Sequence, residues 1–259
     1  METTITKLLR LPPLVSEHGA AIDRLLLYIH LLMFVLFIGW GAYFLYVLWR
    51  FHQRRQPKAD PIGARTHVSS YLEVGVAVVE GILLFGLALP IWSRTAIASN
   101  FPSPEESTVV RVIGRQFNWM ARYPGPDGVF GRASPKLVGP DNPLGIDRDD
   151  PAAADDILLE SSEIVVPVDK PVIAYVSSLD VMHSFSVKPL RVTQDAIPGL
   201  SNPVWFKPVK TGTYQITCAQ LCGNGHYSMR GFLRVLPQDE YEQWLAQQSP
   251  RAADTSGYE

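Results

Sequence analysis

Cysteine is almost absent from this chain: two in 259 residues, both in one stretch, CAQLCGNGHYSM (218–229). A disulfide between them would close only three intervening residues and constrain the unfolded chain very little. Excess charge is missing too. A formal net charge of −2 argues against nucleic-acid binding and against a strongly acidic character. Residues 25–49 contain no Asp, Glu, Lys or Arg, and His30 is their one ionisable group of note. No Ala-x-Ala-like cleavage site follows this run, where Tyr46, Trp49 and Arg50 stand instead, and the run outlasts a signal-peptide core. No nucleophile–base pair and no open metal position is evident, so the chain by itself has no apparatus for making bonds.

The hydrophobic content, 47%, is compatible with a sizeable core, but it is unevenly spread. Residues 25–49, read as a helix, outreach a hydrocarbon layer of roughly 30 Å. A second apolar run covers residues 71–92, interrupted by Glu73 and Glu80, with Leu89-Pro90 read as the point where the helix ends. The link RFHQRRQPKADPIGARTH holds Arg50, Arg54, Arg55, Lys58 and Arg65 against Asp60 alone. The positive-inside tendency puts this link in the cytoplasm and both termini on the opposite face.

From Phe101 the character changes. TVVRVIGRQFNWMARY, EIVVPVDKPVIAYVSS and GTYQITC are rich in β-branched and aromatic residues and bounded by Gly, Pro and Asp turns. Thr213–Thr217 alternates polar and apolar, a half-buried strand running into Cys218, and GFLRVL reads as the next strand. Residues 123–156 carry no sustained period and read as a long loop. Pro237 opens a short helix with Tyr241, Trp244 and Leu245 on one face. The expected organisation is an extracytoplasmic segment (1–23), a two-helix transmembrane hairpin (24–94) with its link (50–69), an all-β domain (95–246) and a flexible tail (247–259).

The stretch 218–229 thus forms a loop between two strands. Outside the cytoplasm a cysteine pair is commonly a disulfide, yet that leaves His226 and Met229, four and seven residues past Cys222, without a purpose. Two thiolates, an imidazole and a thioether suit copper, and two thiolates can bridge two copper ions that share one electron. Structural zinc takes four Cys/His ligands and no methionine. A second imidazole has to come from elsewhere. His18, His30, His52 and His67 precede or lie within the hairpin, which leaves His183, in LDVMHSFSVKPL, as either a ligand or a core histidine.

The hairpin, DVMHSF, QDAIPG (194–199) and CAQLCGNGHYSM together resemble subunit II of cytochrome c oxidase, of the haem–copper oxidase family. The resemblance implies a membrane hairpin followed by a cupredoxin-like Greek-key barrel. It implies a binuclear CuA centre, with Cys218 and Cys222 bridging, His183 and His226 terminal, Met229 weak and the Gln220 backbone carbonyl completing the set. Electrons would come from cytochrome c or a membrane-bound cytochrome and pass to haem in subunit I, in a bacterial inner membrane. Two departures stand out. Where the family has Glu between the cysteines, helping hold Mg, this chain has Gln220. In GRQFNW, Phe117 replaces the family's electron-receiving Trp, while Trp119 matches a later one; this variant and the long loop suggest a donor other than the usual soluble cytochrome. Glu73, seventeen residues before Pro90, matches a carboxylate at a proton-channel entrance leading into subunit I. A quinol oxidase subunit II would lack the copper ligands, nitrous oxide reductase would lack the hairpin, and a copper-delivery protein would expose its ligands.

Overall fold

The computed structural model describes residues 7–58, 61–63 and 66–248; the expected tail beyond them, and Asp60 and Arg65 of the link, lie outside the described residues. Two long helices come first, α1 (Gly19–Arg50) and α2 (Val68–Ala96). Their large apolar side chains face outward, with Phe37 75% and Phe85 70% exposed, the pattern of helices whose solvent is lipid rather than a protein core. At about 1.5 Å per residue the 32-residue α1 is longer than a hydrocarbon layer. Its first turns therefore stand clear of it, and they are packed against the β-domain, with Asp23 buried.

The expectation that α2 ends at Leu89-Pro90 is corrected. The helix runs on to Ala96, because residues Ile82–Ala88 widen into a π-helical segment in which the Leu89 amide bonds the Leu84 carbonyl five residues back. A proline has no amide to donate and its ring strikes the carbonyl four residues earlier. A widened turn immediately before Pro90 accommodates both defects, as π-segments and helix bends at prolines do.

Among the described residues, ten strands form two five-stranded sheets, one ordered β3-β2-β1-β5-β8 and the other β4-β10-β9-β6-β7. Their ranges are β1 Thr108–Arg115, β2 Asn118–Tyr123, β3 Ile157–Leu159, β4 Glu163–Pro167, β5 Val172–Ser178, β6 His183–Val187, β7 Val192–Ala196, β8 Asn202–Phe206, β9 Gly212–Cys218 and β10 Arg230–Leu236. The first sheet pairs β1 in parallel with β5, and the second pairs β4 in parallel with β10, so the chain crosses between layers. Inward residues from both layers, among them Val110, Val112, Trp119, Ile164, Val176, Phe185, Ile216 and Leu233, fill the space between them. This is a cupredoxin-like β-sandwich. Helix α3 (Gln238–Ala246) follows Pro237 as its sequence predicts, burying Tyr241 and setting Trp244 edge-on against Tyr123.

Between β2 and β3 the long loop is fixed by a buried ion pair between Arg122 and Asp156, both 2% exposed at the side chain. The same two groups bond the Gly131 carbonyl and amide respectively, so the loop folds back over the end of β2. Tyr123 links the two layers: its hydroxyl donates to the Val165 carbonyl at 2.9 Å and accepts from the Val165 amide at 2.8 Å. Burial pushes its phenol well above the ordinary range, so it stays neutral and keeps both bonds. Tyr123→Phe leaves a buried amide and carbonyl without a partner, an expected loss of about 1–3 kcal/mol. Denaturant unfolding of the detergent-solubilised chain measures it.

Candidate metal centre

The antiparallel register of β9 and β10, from Gly212↔Val235 to Thr217↔Arg230, brings the ends of the loop together. Beyond it the Cys218 amide donates to the Met229 carbonyl at 3.3 Å, closing the loop's neck. Cys218 is the last residue of β9, and Phe185 of β6 stands opposite it. His183 opens β6 two residues earlier, fully buried, with Nδ1 3.9 Å from Cys218 Sγ. Inside the loop, the amides of Ser228 and Met229 bond the Gly225 carbonyl, a tight turn that swings Met229 back beneath Cys222.

The donors form a chain. Cys218 Sγ lies 3.8 Å from Cys222 Sγ, and Cys222 Sγ lies 3.6 Å from His226 Nδ1 and 3.7 Å from Met229 Sδ. The Gln220 carbonyl is turned inward, 3.0 Å from Cys218 Sγ. Both cysteines are free thiols, and their separation is well beyond the roughly 2.05 Å of a disulfide. Ligand atoms of His183, Cys218 and Cys222 lie within 4.8 Å of one another. Donors that each sit about 2.0–2.3 Å from one first-row ion fall in that range. His226 lies outside that mutual cluster and joins it through Cys222. The residues fit a site with two sulfurs between two imidazoles, and Cys222 and Met229 are almost fully buried.

Burial and the neighbouring Cys218 push the Cys222 thiol up to about 11. Its proton must leave before a metal can bind the sulfur.

A residue missed in the sequence orients the site. Asp180 Oδ1 lies 2.8 Å from His183 Nε2, which leaves Nδ1 facing the sulfurs, and Asp180 Oδ2 accepts from the Gln116 amide at 2.7 Å. Burial opposes ionisation of Asp180, but the bonds from Gln116, His183 and Val181 outweigh it and hold the carboxyl below its usual range. A carboxylate behind a ligating histidine fixes the ring's tautomer and direction. The signal was the aspartate inside DVMHSF, three residues before the histidine. Gln116 reaches the loop as well, its Nε2 donating to the Cys222 carbonyl at 2.6 Å.

Phe117 and Trp119 both border the centre, with different exposure. Phe117 is 40% exposed and covers the loop; a Cβ on Gly225 would stand 2.5 Å from its ring, so only glycine permits that contact. Trp119 is fully buried, its ring 6.1 Å from His183 and 5.8 Å from Phe185, both edge-on. The loop that Phe117 covers also exposes two large side chains, Leu221 at 78% and Tyr227 at 91%. Glu73 is remote from all of this, exposed in the second turn of α2.

Residues 108–235 match the family model described as cytochrome C oxidase subunit II, periplasmic domain. The chain is 35% identical over 204 residues to the alternative cytochrome c oxidase subunit 2 of Bradyrhizobium diazoefficiens, spanning 78% of this chain and 71% of that one. It is 31% identical over 216 residues to cytochrome c oxidase subunit 2 of Cereibacter sphaeroides, spanning 78% and 68%. A solved structure, the periplasmic domain of subunit II of cytochrome oxidase of Bradyrhizobium japonicum, aligns at 30% identity and a TM-score of 0.42, covering 57% of this chain and 95% of that one.

Two outcomes are expected. Asp180→Asn, which keeps the shape but weakens the bond to Nε2, lowers copper affinity about 10–100-fold, as measured by competition with a chelator. Copper uptake by the metal-free chain releases protons. Because the Cys222 thiol ionises only near 11, apparent affinity rises with pH by about tenfold per unit for each proton displaced, and falls as the pH drops. Titration at two pH values checks this.

Proposed function

The chain belongs to the cytochrome c oxidase subunit II family, and from that premise we propose that it is the electron-accepting subunit of a proton-pumping terminal oxidase. In this reading it takes electrons from a cytochrome c, soluble or membrane-bound, at a binuclear CuA centre. It passes them to haem in subunit I, where oxygen becomes water. The observation that carries the reading is the continuous set of donors, imidazole–sulfur–sulfur–imidazole with a thioether beside it, inside a rigid β-sandwich.

Cys218 and Cys222 would bridge two copper ions, His183 and His226 would each terminate one side, and Met229 and the Gln220 carbonyl would complete the set. When bound, the copper pair supplies one-electron transfer at a small cost in geometry. The chain's own residues keep that cost small. Asp180 holds the His183 ring, Gln116 holds the Cys222 carbonyl, and the β9–β10 neck prevents the sulfurs from drifting. Burial of Cys222 and Met229 excludes water. Ligands fixed in this way suit electron transfer better than copper delivery, which needs exchangeable ones.

Phe117 and the rim around it are where a donor would dock. That surface is apolar at its centre, so docking relies on burial more than on charge, while the Asp-rich loop 141–156 supports long-range attraction of a basic donor. Trp119, sealed behind His183, makes no contact with a donor and acts as packing for the ligand ring. Gln220 offers no carboxylate toward a magnesium ion at the subunit I interface. The basic link and the attachment of both outer helix ends to the β-domain support a cytoplasmic link and a periplasmic sandwich. Glu73 then lies near the cytoplasmic side, where a proton-channel entrance belongs.

The copper-to-protein ratio and the EPR spectrum of the copper-replete protein test this reading. Two coppers per chain with a mixed-valence signal, both lost in Cys222→Ser, are expected; a joined cysteine pair with no metal overturns it.

A further inference from the structure

Arg191 occupies the left-handed region, φ 59 and ψ 33, directly after β6 and its short turn. That conformation is uncomfortable for a side chain with a Cβ and is ordinarily left to glycine or asparagine. A strained residue kept in place invites the question of what its side chain does.

The guanidinium is almost entirely committed. Nε donates to Asp23 Oδ1 at 2.8 Å, and Nη2 donates to Asp23 Oδ2 at 3.0 Å and to the Pro12 carbonyl at 2.8 Å. Nη1 donates to the Lys188 carbonyl at 2.8 Å. The two side chains are 8% and 1% exposed, and the geometry is the two-pronged fork at which arginine exceeds lysine. Asp23 belongs to the second turn of α1, so this pair joins a membrane helix to the β-sandwich.

The surroundings are built for the same contact. The Val15 amide donates to the Pro189 carbonyl, the Val209 amide to the Val15 carbonyl and the Glu17 amide to the Lys207 carbonyl. Ser16 Oγ donates to the Leu190 carbonyl at 2.7 Å. At Gly19 a Cβ would meet Leu14 Cδ1 at 2.4 Å, Ser16 Oγ at 2.7 Å and the Arg191 stem at 3.0 Å, so a larger residue would have to displace side chains that pack α1 onto the sandwich. A second tie holds α2: Trp205 Nε1 donates to the Arg94 carbonyl at 3.1 Å, and the Trp205 ring rests beside His18 and Phe101.

The latch has a direct mechanical line to the metal centre. β6 and β7 pair from Val187↔Val192 beside Arg191 to His183↔Ala196 at the far end. Four residue steps at roughly 3.4 Å place His183 about 14 Å along this hairpin from the latch. The hairpin's foot is gripped by the membrane helix, and its head holds a ligand.

We propose that Arg191 is a positioning residue: by locking onto Asp23 it fixes the height and tilt of the metal ligands over the membrane helices, and so over the acceptor in subunit I. This rests on reading the site as the one-electron relay. Transfer between fixed centres depends on distance, and a hinged sandwich would spend much of its time badly placed. The rim that meets the donor lies at the other end of the hairpin and is indifferent to the latch.

The test uses the whole oxidase carrying Arg191→Gly, Arg191→Lys or Asp23→Asn. Glycine is the decisive choice, because it relieves the left-handed strain while deleting the guanidinium. If Arg191 were only a turn residue, R191G would be neutral or mildly stabilising. The latch predicts that R191G leaves the copper EPR signal and reduction by the donor unchanged. It predicts that onward transfer to haem, followed after photochemical reduction, slows on the order of tenfold, as ångström-scale misplacement does in positioned reactions. Amide hydrogen exchange at residues 14–23 and 190–192 should quicken, and R191K should fall between R191G and the parent protein. Unchanged onward transfer together with unchanged exchange in both R191G and D23N overturns the latch. A parent protein without the two-copper signal overturns the relay reading instead, and the exchange data still decide whether Arg191 grips α1.

Discussion

Everything at the metal centre depends on two sulfurs, one buried and one half-buried, being held near one another without being joined. Thiols four residues apart on a free loop would collide and oxidise readily. Here the loop has a neck, closed by the Cys218 amide on the Met229 carbonyl and extended by the β9–β10 ladder. The sulfurs therefore keep their spacing because they belong to different parts of a closed figure, Cys218 to a strand end and Cys222 to the loop's buried side. The turn at Gly225 then supplies His226 and Met229 from within the same loop, leaving His183 as the one side-chain donor brought from another strand.

The polar groups behind the donors show how much of the site is maintained from outside it. The segment joining β1 to β2 gives Asp180 an amide and the loop a glutamine. Asp180 spends its other oxygen on His183. One short turn thus steadies both the histidine on β6 and the cysteine in the loop, adding side-chain bonds to the backbone bond from the Ala219 amide to the Ser184 carbonyl. A half-satisfied network of this kind would cost more than an apolar one, since each buried polar atom left alone carries its full desolvation penalty. The satisfied version makes the ligand positions stiff.

The loop was legible because its ligands are contiguous and their chemistry fixes their spacing. His183 was legible because the other histidines lie too early in the chain. The strands around them announced themselves through β-branched alternation. What escaped was non-local. Asp180 stands three residues before His183 in DVMHSF, but that spacing alone does not show its bond to the ring or the Gln116 amide that the β1–β2 turn brings to its other oxygen. Residues 14–23 are expected from the sequence only as part of an extracytoplasmic segment, yet Val15 and Ser16 are buried against a segment some 174 residues away. Pro90 misled for a different reason. It does break an α-helix, and the chain answers by widening the preceding turn rather than by stopping.

The hairpin carries a further consequence of the same logic. Glu73 and Glu80 are seven residues apart, two helical turns, and so lie on one stripe of α2, both exposed. Glu80 stands immediately before the π-helical segment, near the middle of the span. A carboxylate at that depth is costly against hydrocarbon and becomes tolerable when it faces another protein or a wet cavity. Apart from where the two helices meet, they expose Leu, Val and Phe, among them Val35, Phe37, Leu45, Val74 and Phe85. The stripe with two carboxylates is accordingly the side of α2 least suited to lipid and best suited to face another protein. The β-domain is tied to the outer ends of these helices, so whatever orients the stripe also orients the copper loop above it.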